Sequence, residues 1–406
     1  MKKIFLIIPI LLLSGCSLFY DEYEMPKEVS IKIKEDKYEV YSSKTINDLI
    51  EDKNVKILNE NEKLNTKKTG KQETTIEYEY EDRKYKYIVN YEVMDTLPPT
   101  VIYTKEYDYA YVGDETSKDI NFCDSANFID NYDRKPTCKI EGTYDINTVG
   151  TYELKYIISD KDNNTTTKDI TFEVMEEPTE IEDEDYEEET EEEEEKLDFK
   201  YIIDNYKTDN TMIGIDVSRW QGDIDFKKVK EAGCEFVIMR MAVSNGPDDE
   251  IGLDSKFKQN LKNAKAAGLK IGVYVYTSPS STKEIKKQAE FVLDELDKTK
   301  LDFPIAYDFE NWEDIRSLKI NLYDLLSYID EFKNIVKKDG YEVMLYSSKK
   351  YLGFIWPKET YPVWLAHYID ETNYDGDYIM WQMANNGRID GIDTNVDIDI
   401  YYKRED

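Results

Sequence analysis

The segment Phe303-Pro304-Ile305-Ala306-Tyr307-Asp308-Phe309-Glu310 sets two carboxylates two residues apart at the end of a short apolar run. Successive side chains of a strand alternate between its faces, so on a strand Asp308 and Glu310 project to the same side. If that strand is one of a parallel barrel, they stand at its C-terminal end, where such barrels hold their sites. Paired carboxyls suit the cleavage of a glycosidic bond. One stays protonated to give its proton to the leaving oxygen, while the other, ionised, steadies an oxocarbenium-like centre or positions a participating group. An isolated Asp-x-Glu is common, so the pair needs its surroundings before it carries a function. Other chemistries are ruled out by residue supply. His367 is the single histidine and no Cys/His cluster has metal-ligand spacing, which leaves no zinc site, no Ser-His-Asp triad and no expected cofactor.

The elements that must position the pair begin near Met212. Short apolar runs (Phe236-Val237-Ile238-Met239, Ile271-Gly272-Val273-Tyr274-Val275-Tyr276, Val343-Met344-Leu345-Tyr346) alternate with helical stretches at Lys256 to Ala267, Lys283 to Asp297 and Tyr323 to Lys338. Strand-helix alternation over this length predicts a parallel sheet, either a barrel or an open doubly wound sheet. Gly268 and Gly340 sit where helix C-caps need a left-handed residue.

Across Ile213 to Ile400 the sequence closely resembles glycoside hydrolase family 25, and the match is distributed. Gly214-Ile215-Asp216-Val217-Ser218-Arg219-Trp220-Gln221-Gly222 looks like the family's opening strand and loop, and Asp225-Phe226 like its following Asp-aromatic pair. Arg240, Asp254, Phe257, Asn260, Ala264 and Gly268 resemble its second strand and helix, and Gly272-Val273-Tyr274 its next strand. Trp364-Leu365-Ala366-His367-Tyr368 resembles the family's Trp-x-Ala-x-Tyr, and Trp381-Gln382, Gly387, Gly391 and Val396-Asp397-Ile398-Asp399 its closing pattern. The resemblance implies a flattened, modified β/α-barrel that cleaves the β-1,4 bond between N-acetylmuramic acid and N-acetylglucosamine in peptidoglycan. It implies Glu310 as general acid/base and Asp308 as the group that orients or charge-stabilises the substrate's acetamido group, with Asp216 and Asp397 completing an acidic cluster. Crowded carboxyls raise one another's pKa, which keeps one protonated near neutral pH. Two positions depart from the family: Val275 stands where a His often follows Gly-x-Tyr, and Asp399 stands where Asp-x-Asn would put Asn. The second departure keeps the key aspartate and changes only its neighbour.

Trp220, Trp364 and Trp381, with Tyr274, Tyr276, Tyr346 and Tyr368, either stack on sugar rings or fill the barrel core, and Gln382 is grouped with them as a candidate substrate contact. His367 is expected to be a structural, hydrogen-bonded histidine.

The rest of the chain says where such a site would work. Lys2 and Lys3, the apolar run Ile4 to Leu13 and Leu13-Ser14-Gly15-Cys16 form a secretion signal, since the run is shorter than the roughly 20 residues a spanning helix needs. The Leu-Ser-Gly-Cys ending resembles the bacterial lipobox, which implies lipidation of Cys16 and an extracytoplasmic chain anchored to the cell membrane, facing the wall. With 87 acidic against 53 basic residues and a net charge of -34, nucleic acid is excluded as a partner. A polyanionic wall repels the chain too, so local sugar contacts and the tether must capture substrate. Any envelope-spanning apparatus as a partner is unspecified. Period-2 stretches such as Ile31 to Lys34 and Thr75 to Tyr80 predict strands, and an internal repeat relates Gly70 through Glu92-Val93-Met94 to Gly150 through Glu173-Val174-Met175. Two small β-sandwiches in tandem are expected, parted at Asp95-Thr96-Leu97-Pro98-Pro99, because consecutive prolines cannot continue a central strand. The second resembles the immunoglobulin-like modules of bacterial surface proteins, and both are expected to act as spacers. Cys123 and Cys138 are close enough, in an oxidising compartment, to form a disulfide, while Cys234 leads into a buried strand as a packing residue. The acidic run after Pro178 is a self-repelling linker without the Asp/Asn/Gly pattern of a calcium loop.

The expected organisation is multidomain: signal peptide 1–15, tether 16–25, β-sandwich 26–95, immunoglobulin-like β-sandwich 96–176, acidic linker 177–208 and an α/β catalytic barrel 209–406. The function expected is a membrane-tethered peptidoglycan hydrolase. The alternative is an inactive glycan-binding or adhesin lipoprotein.

Overall fold

The computed structural model describes residues 25–34, 37–104, 109–177, 196–246, 249–313, 315–357 and 361–403. The expected signal peptide, Cys16 and the acidic run 178–195 lie outside them. The chain divides into two compact units, one ending at Thr96 and the other beginning at Leu97.

In the first unit a long hairpin, Gly70–Tyr80 against Arg83–Met94, turns on Glu81 and Asp82, both left-handed as a two-residue hairpin turn demands. Lys56–Ile57 adds antiparallel to one side and Lys37–Glu39 parallel to the other, and Ile31–Ile33 pairs separately with Ile50–Lys53. The second unit opens on the same plan. Its hairpin is Gly150–Ser159 against Thr165–Met175, flanked by Thr137–Glu141 and by the parallel strand Tyr109–Tyr111, with Thr100–Thr104 pairing separately with Ala126–Ile129. Gly70 lies opposite Val93 and Gly150 opposite Val174, so the repeat in the sequence is a repeat of pairing. Each copy is a four-stranded sheet with a two-stranded one. Cys123 and Cys138 are disulfide-bonded, and Cys234 is a buried free thiol.

The remainder of the second unit is built on eight strands: β1 Thr211–Val217, β2 Phe236–Ser244, β3 Lys270–Thr277, β4 Ile305–Asp308, β5 Val343–Ser348, β6 Val363–Ala366, β7 Met380–Arg388 and β8 Val396–Tyr402. Neighbours from β1 to β7 pair in parallel, and β8 pairs antiparallel with both β7 and β1, which closes the ring. Helices cover the early crossovers: α1 Phe226–Glu231, α2 Phe257–Ala266, α3 Thr282–Leu296, α4 Ile315–Leu318 and α5 Leu322–Val336. Among the described residues no α-helix lies between β5 and β8. The period of two sorts the strand residues. Ile213, Val237, Met239, Val273, Tyr307 and Leu345 face the outer core beneath the helices, while Met212, Phe236, Ile238, Met344, Tyr346 and Trp364 fill the ring.

Two expectations are corrected. The strand carrying the paired carboxylates stops at Asp308, so Glu310 stands on the loop beyond it rather than on the strand's face. The catalytic part starts before residue 209: Leu197–Asp198 pairs with β7, and the helix Phe199–Tyr206 buries Phe199 and Ile202 in the outer core. Asp198 caps that helix by accepting from the Lys200 backbone N–H, and the acidic composition just upstream conceals the start of the fold.

Candidate active site

Positions two apart on the strands bring acidic side chains to one end of the ring. Asp216 near the end of β1 and Asp308 at the end of β4 are 4 % exposed, and Asp399 on β8 is fully buried. Because β8 runs antiparallel, its start lies at the ends of its neighbours, and Asp397 falls opposite Asp216 in the register. Glu310 is exposed at the mouth.

These carboxyls are held unequally. Gln382 Nε2 donates to Asp216 Oδ2 at 2.7 Å, while the Gln382 Oε1 accepts from the hydroxyls of Tyr346 and Tyr368 at 2.8 and 3.0 Å. Trp364 Nε1 donates to Asp399 Oδ1 at 2.8 Å. The other oxygen of Asp399, Oδ2, is buried with no hydrogen-bond partner among the described residues. Asp308 Oδ1 is buried with no hydrogen-bond partner among the described residues.

Burial is the first cause that lifts every one of these acids above the usual carboxylate range. Asp216 is raised further by Asp399, and Asp308 by Glu310 and Asp216, with Arg240 pulling Asp308 back down. Asp397 is pushed up to about 9 by burial and by Asp216 and Glu310, and Glu310 is raised by the protein packed around its base. Arg240 is fixed by Asp254, Nη2 to Oδ2 at 2.7 Å, and Asp254 also accepts from the Arg219 backbone N–H. A cluster in which protons persist at neutral pH, one acid open to solvent and the others sunk, provides a proton donor beside groups able to stabilise positive charge.

Residues 215–392 match the family model described as Glycosyl hydrolases family 25. This domain belongs to that family. The C-terminal half of the chain is therefore a glycoside hydrolase of lysozyme type. Among relatives of the family 25 domain, the uncharacterized protein YegX of Escherichia coli K12 is 29% identical over 200 residues, 47% of this chain and 70% of that one. The autolytic lysozyme of Clostridium acetobutylicum is 28% identical over 194 residues, 46% of this chain and 55% of that one. Among solved structures, a family 25 glycosyl hydrolase from Bacillus anthracis aligns with a TM-score of 0.43 and 21% identity, covering 49% of this chain and 93% of that one.

The aromatic candidates of the family 25 domain divide. Trp364 and Tyr346 lie inside the ring with rings 4.8 Å apart, and Tyr274 packs edge-on to Trp364 at 6.2 Å. Tyr276 lies beside Asp308 in the register of β3 and β4, and burial raises its hydroxyl, with Asp308 and Glu310 raising it further. Trp220 and Tyr368 are 67% and 52% exposed, available as rings for a sugar to lie on. Trp381 is corrected: it points out of the ring, donates to the His367 carbonyl and packs against Tyr206, because the period of two places Gln382 inside. His367 Nδ1 bonds Thr372 Oγ1 at 2.8 Å. Asp399, which stands where the family pattern has Asn, is more than a neighbour of Asp397. The same spacing of two that drew attention to Asp308 and Glu310 places it in the acid cluster.

Proposed function

We propose that this chain cleaves the β-1,4 bond between N-acetylmuramic acid and N-acetylglucosamine in peptidoglycan, acting from the outer face of a membrane to which a lipid on Cys16 tethers it. The observation that carries this reading is the meeting of Asp308 and Glu310 with Asp216 and Asp397 at one end of a family 25 ring. Glu310, raised yet open to solvent, protonates the leaving oxygen. Asp308 offers its unpartnered Oδ1 to the acetamido N–H of the substrate and balances the charge that grows at the anomeric carbon. Asp216, held by Gln382, and Asp397 hold the remaining protons and polar contacts of the cluster. Trp220 and Tyr368 provide exposed rings for the glycan.

Release of new reducing ends from purified peptidoglycan by the full chain, with mass analysis of the fragments, tests the reaction. The expected products end in reducing N-acetylmuramic acid, and Glu310→Gln lowers their release by on the order of a hundredfold to ten-thousandfold. Binding without release by a folded chain would leave a glycan-binding protein instead. For the tether, a fatty-acid label should enter the wild-type chain in bacteria and not the Cys16→Ala variant. Equal labelling of the two would remove the lipid anchor from the reading.

A further inference from the structure

The loop that carries Glu310 is held at two ends by different parts of the second unit. Near Glu310 the ring holds it: Phe309 is fully buried, the Trp312 N–H donates to the Glu310 carbonyl at 2.7 Å, and Trp312 stacks on Tyr351 at 4.4 Å between centroids. Beyond Ile315 the β-module of residues 97–176 takes over. Arg316 Nη1 donates to the carbonyls of Cys123 and Ala126 at 2.6 and 3.1 Å, and its guanidinium lies 4.7 Å from the centre of the Phe128 ring. Asn321 Nδ2 donates to the Tyr132 carbonyl, and the Leu322 N–H to that of Asp130. Arg134 grips Asp324 through two bonds of 2.6 and 2.7 Å. Ile102 and Ile129 of the module belong to the same buried core as Ile315, Leu318 and Ile320 of the loop. Between these anchors Lys319 is left-handed at φ 52, a conformation that a non-glycine residue keeps only when its surroundings impose it.

We propose that the second β-module is a brace for the Glu310 loop rather than a spacer, and that Arg316 is the positioning residue that joins them. A guanidinium suits the task because its rigid fork reaches two carbonyls while its face lies on an aromatic ring. Without the module, Ile315, Leu318 and Ile320 lose the cover of Ile102 and Ile129, and left-handed Lys319 loses the contacts on either side of it. Slack in this segment moves the Glu310 carboxyl relative to the Asp308 strand end, and misplacement by about 1 Å costs a catalytic group roughly a hundredfold in rate. Glu310 drawn away from the protein packed around its base would also lose part of the desolvation that raises its pKa, so the alkaline limb of the activity profile moves to lower pH.

This inference rests on Glu310 being the acid, and it is tested on the full chain with Arg316→Ala and Arg316→Lys. Arg316→Ala is expected to lower kcat by on the order of tenfold to a hundredfold with KM within about twofold, and to shift the alkaline limb down. Arg316→Lys, which can reach one carbonyl, recovers part of the rate and decides the matter if the alanine variant does not fold. Hydrogen exchange across residues 309–320 reads the brace without reference to activity and is expected to quicken in both variants. Wild-type kcat, pH limb and exchange rates in a folded Arg316→Lys or Arg316→Ala protein would overturn the brace. A wild-type chain that releases no reducing ends would sink the hydrolase reading, and the exchange measurement would still judge the brace.

Discussion

Asp216, Asp308, Asp397, Asp399 and Glu310 converge on one end of the ring, and the Arg240 guanidinium that faces them is already paired with Asp254. Fully ionised, such a cluster would set several buried negative charges against one another, so the folded state retains protons that the unfolded chain releases. The sign for stability follows. A carboxyl whose folded pKa lies above its unfolded value contributes stability that is fully present below the unfolded value and is lost as pH rises through the folded one. For Asp397 that window runs from about pH 4 to its folded value of about 9, and Asp216, Asp308 and Asp399 act in the same direction. The melting temperature of the chain should therefore fall between pH 5 and pH 9. Asp399→Asn keeps an oxygen for Trp364 Nε1 and removes both one raised carboxyl and the charge that lifts Asp216, so the variant should lose less of its melting temperature over that range. An equal or steeper fall in the variant would show that Asp399 does not hold a proton. Of this cluster, Asp216, Asp308, Glu310 and Asp397 were legible from residue type and from resemblance. Asp399 was visible only through strand alternation, because whether a second acid two residues on is buried depends on the partner strands.

At the scale of elements, the three long helices α2, α3 and α5 were legible to within a residue or two because apolar spacing marks them and glycines cap two of them, whereas the shorter α1, α4 and Phe199–Tyr206 carry too few turns for such a period to show. Gly268 and Gly340 are left-handed, at φ 74 and 88, as the C-cap reading demands. The end of β4 was not legible, since Phe309 is as apolar as any strand residue and only the loop's own packing takes the chain off the sheet at Asp308. The ring's closed end depends on two glycines whose role the spacing alone did not disclose. A Cβ on Gly214 would lie 2.5 Å from the Phe236 ring, and one on Gly272 would lie 2.5 Å from Ile238 Cδ1. Phe236 and Phe303, 5.0 Å apart, use that room to fill the ring's floor. Gly214→Ala should cost about 1–3 kcal/mol, the usual penalty for overpacking a dense core, read as a lower urea midpoint at unchanged slope. Gly252→Ala, where a Cβ meets nothing within 4 Å, is the matched control and should move the midpoint little. Equal midpoints for the two variants would mean that the floor yields without cost.

Across the whole molecule, the repeat of Gly70 and Gly150 foretold that two copies share a pairing plan, because hairpins write their register into turn and strand spacing. What the sequence concealed is how far the catalytic ring extends beyond its family match. The contacts of Ile102, Ile129, Arg134 and Arg316 follow no periodic pattern, and the Phe199–Tyr206 helix sits in the shadow of an acidic run. Truncation separates these contributions. A chain of residues 209–406 lacks Phe199 and Ile202, 2 % and 0 % exposed, and each such side chain is worth about 1.5–3 kcal/mol of burial as an upper estimate. It also lacks the Leu197–Asp198 pairing with β7. A chain of residues 197–406 restores both but leaves Ile315, Leu318 and Ile320 without the module that helps to cover them. Melting temperature should therefore rise from 209–406 to 197–406 and again to 97–406. The first step measures the helix and the second the module. If only the first step appears, the module rests on the ring without stabilising it, and the grip of Arg134 on Asp324 is surface chemistry of the kind that contributes little. If only the second appears, the helix contributes nothing of its own and the apolar seam beneath the module holds the ring's helical side together.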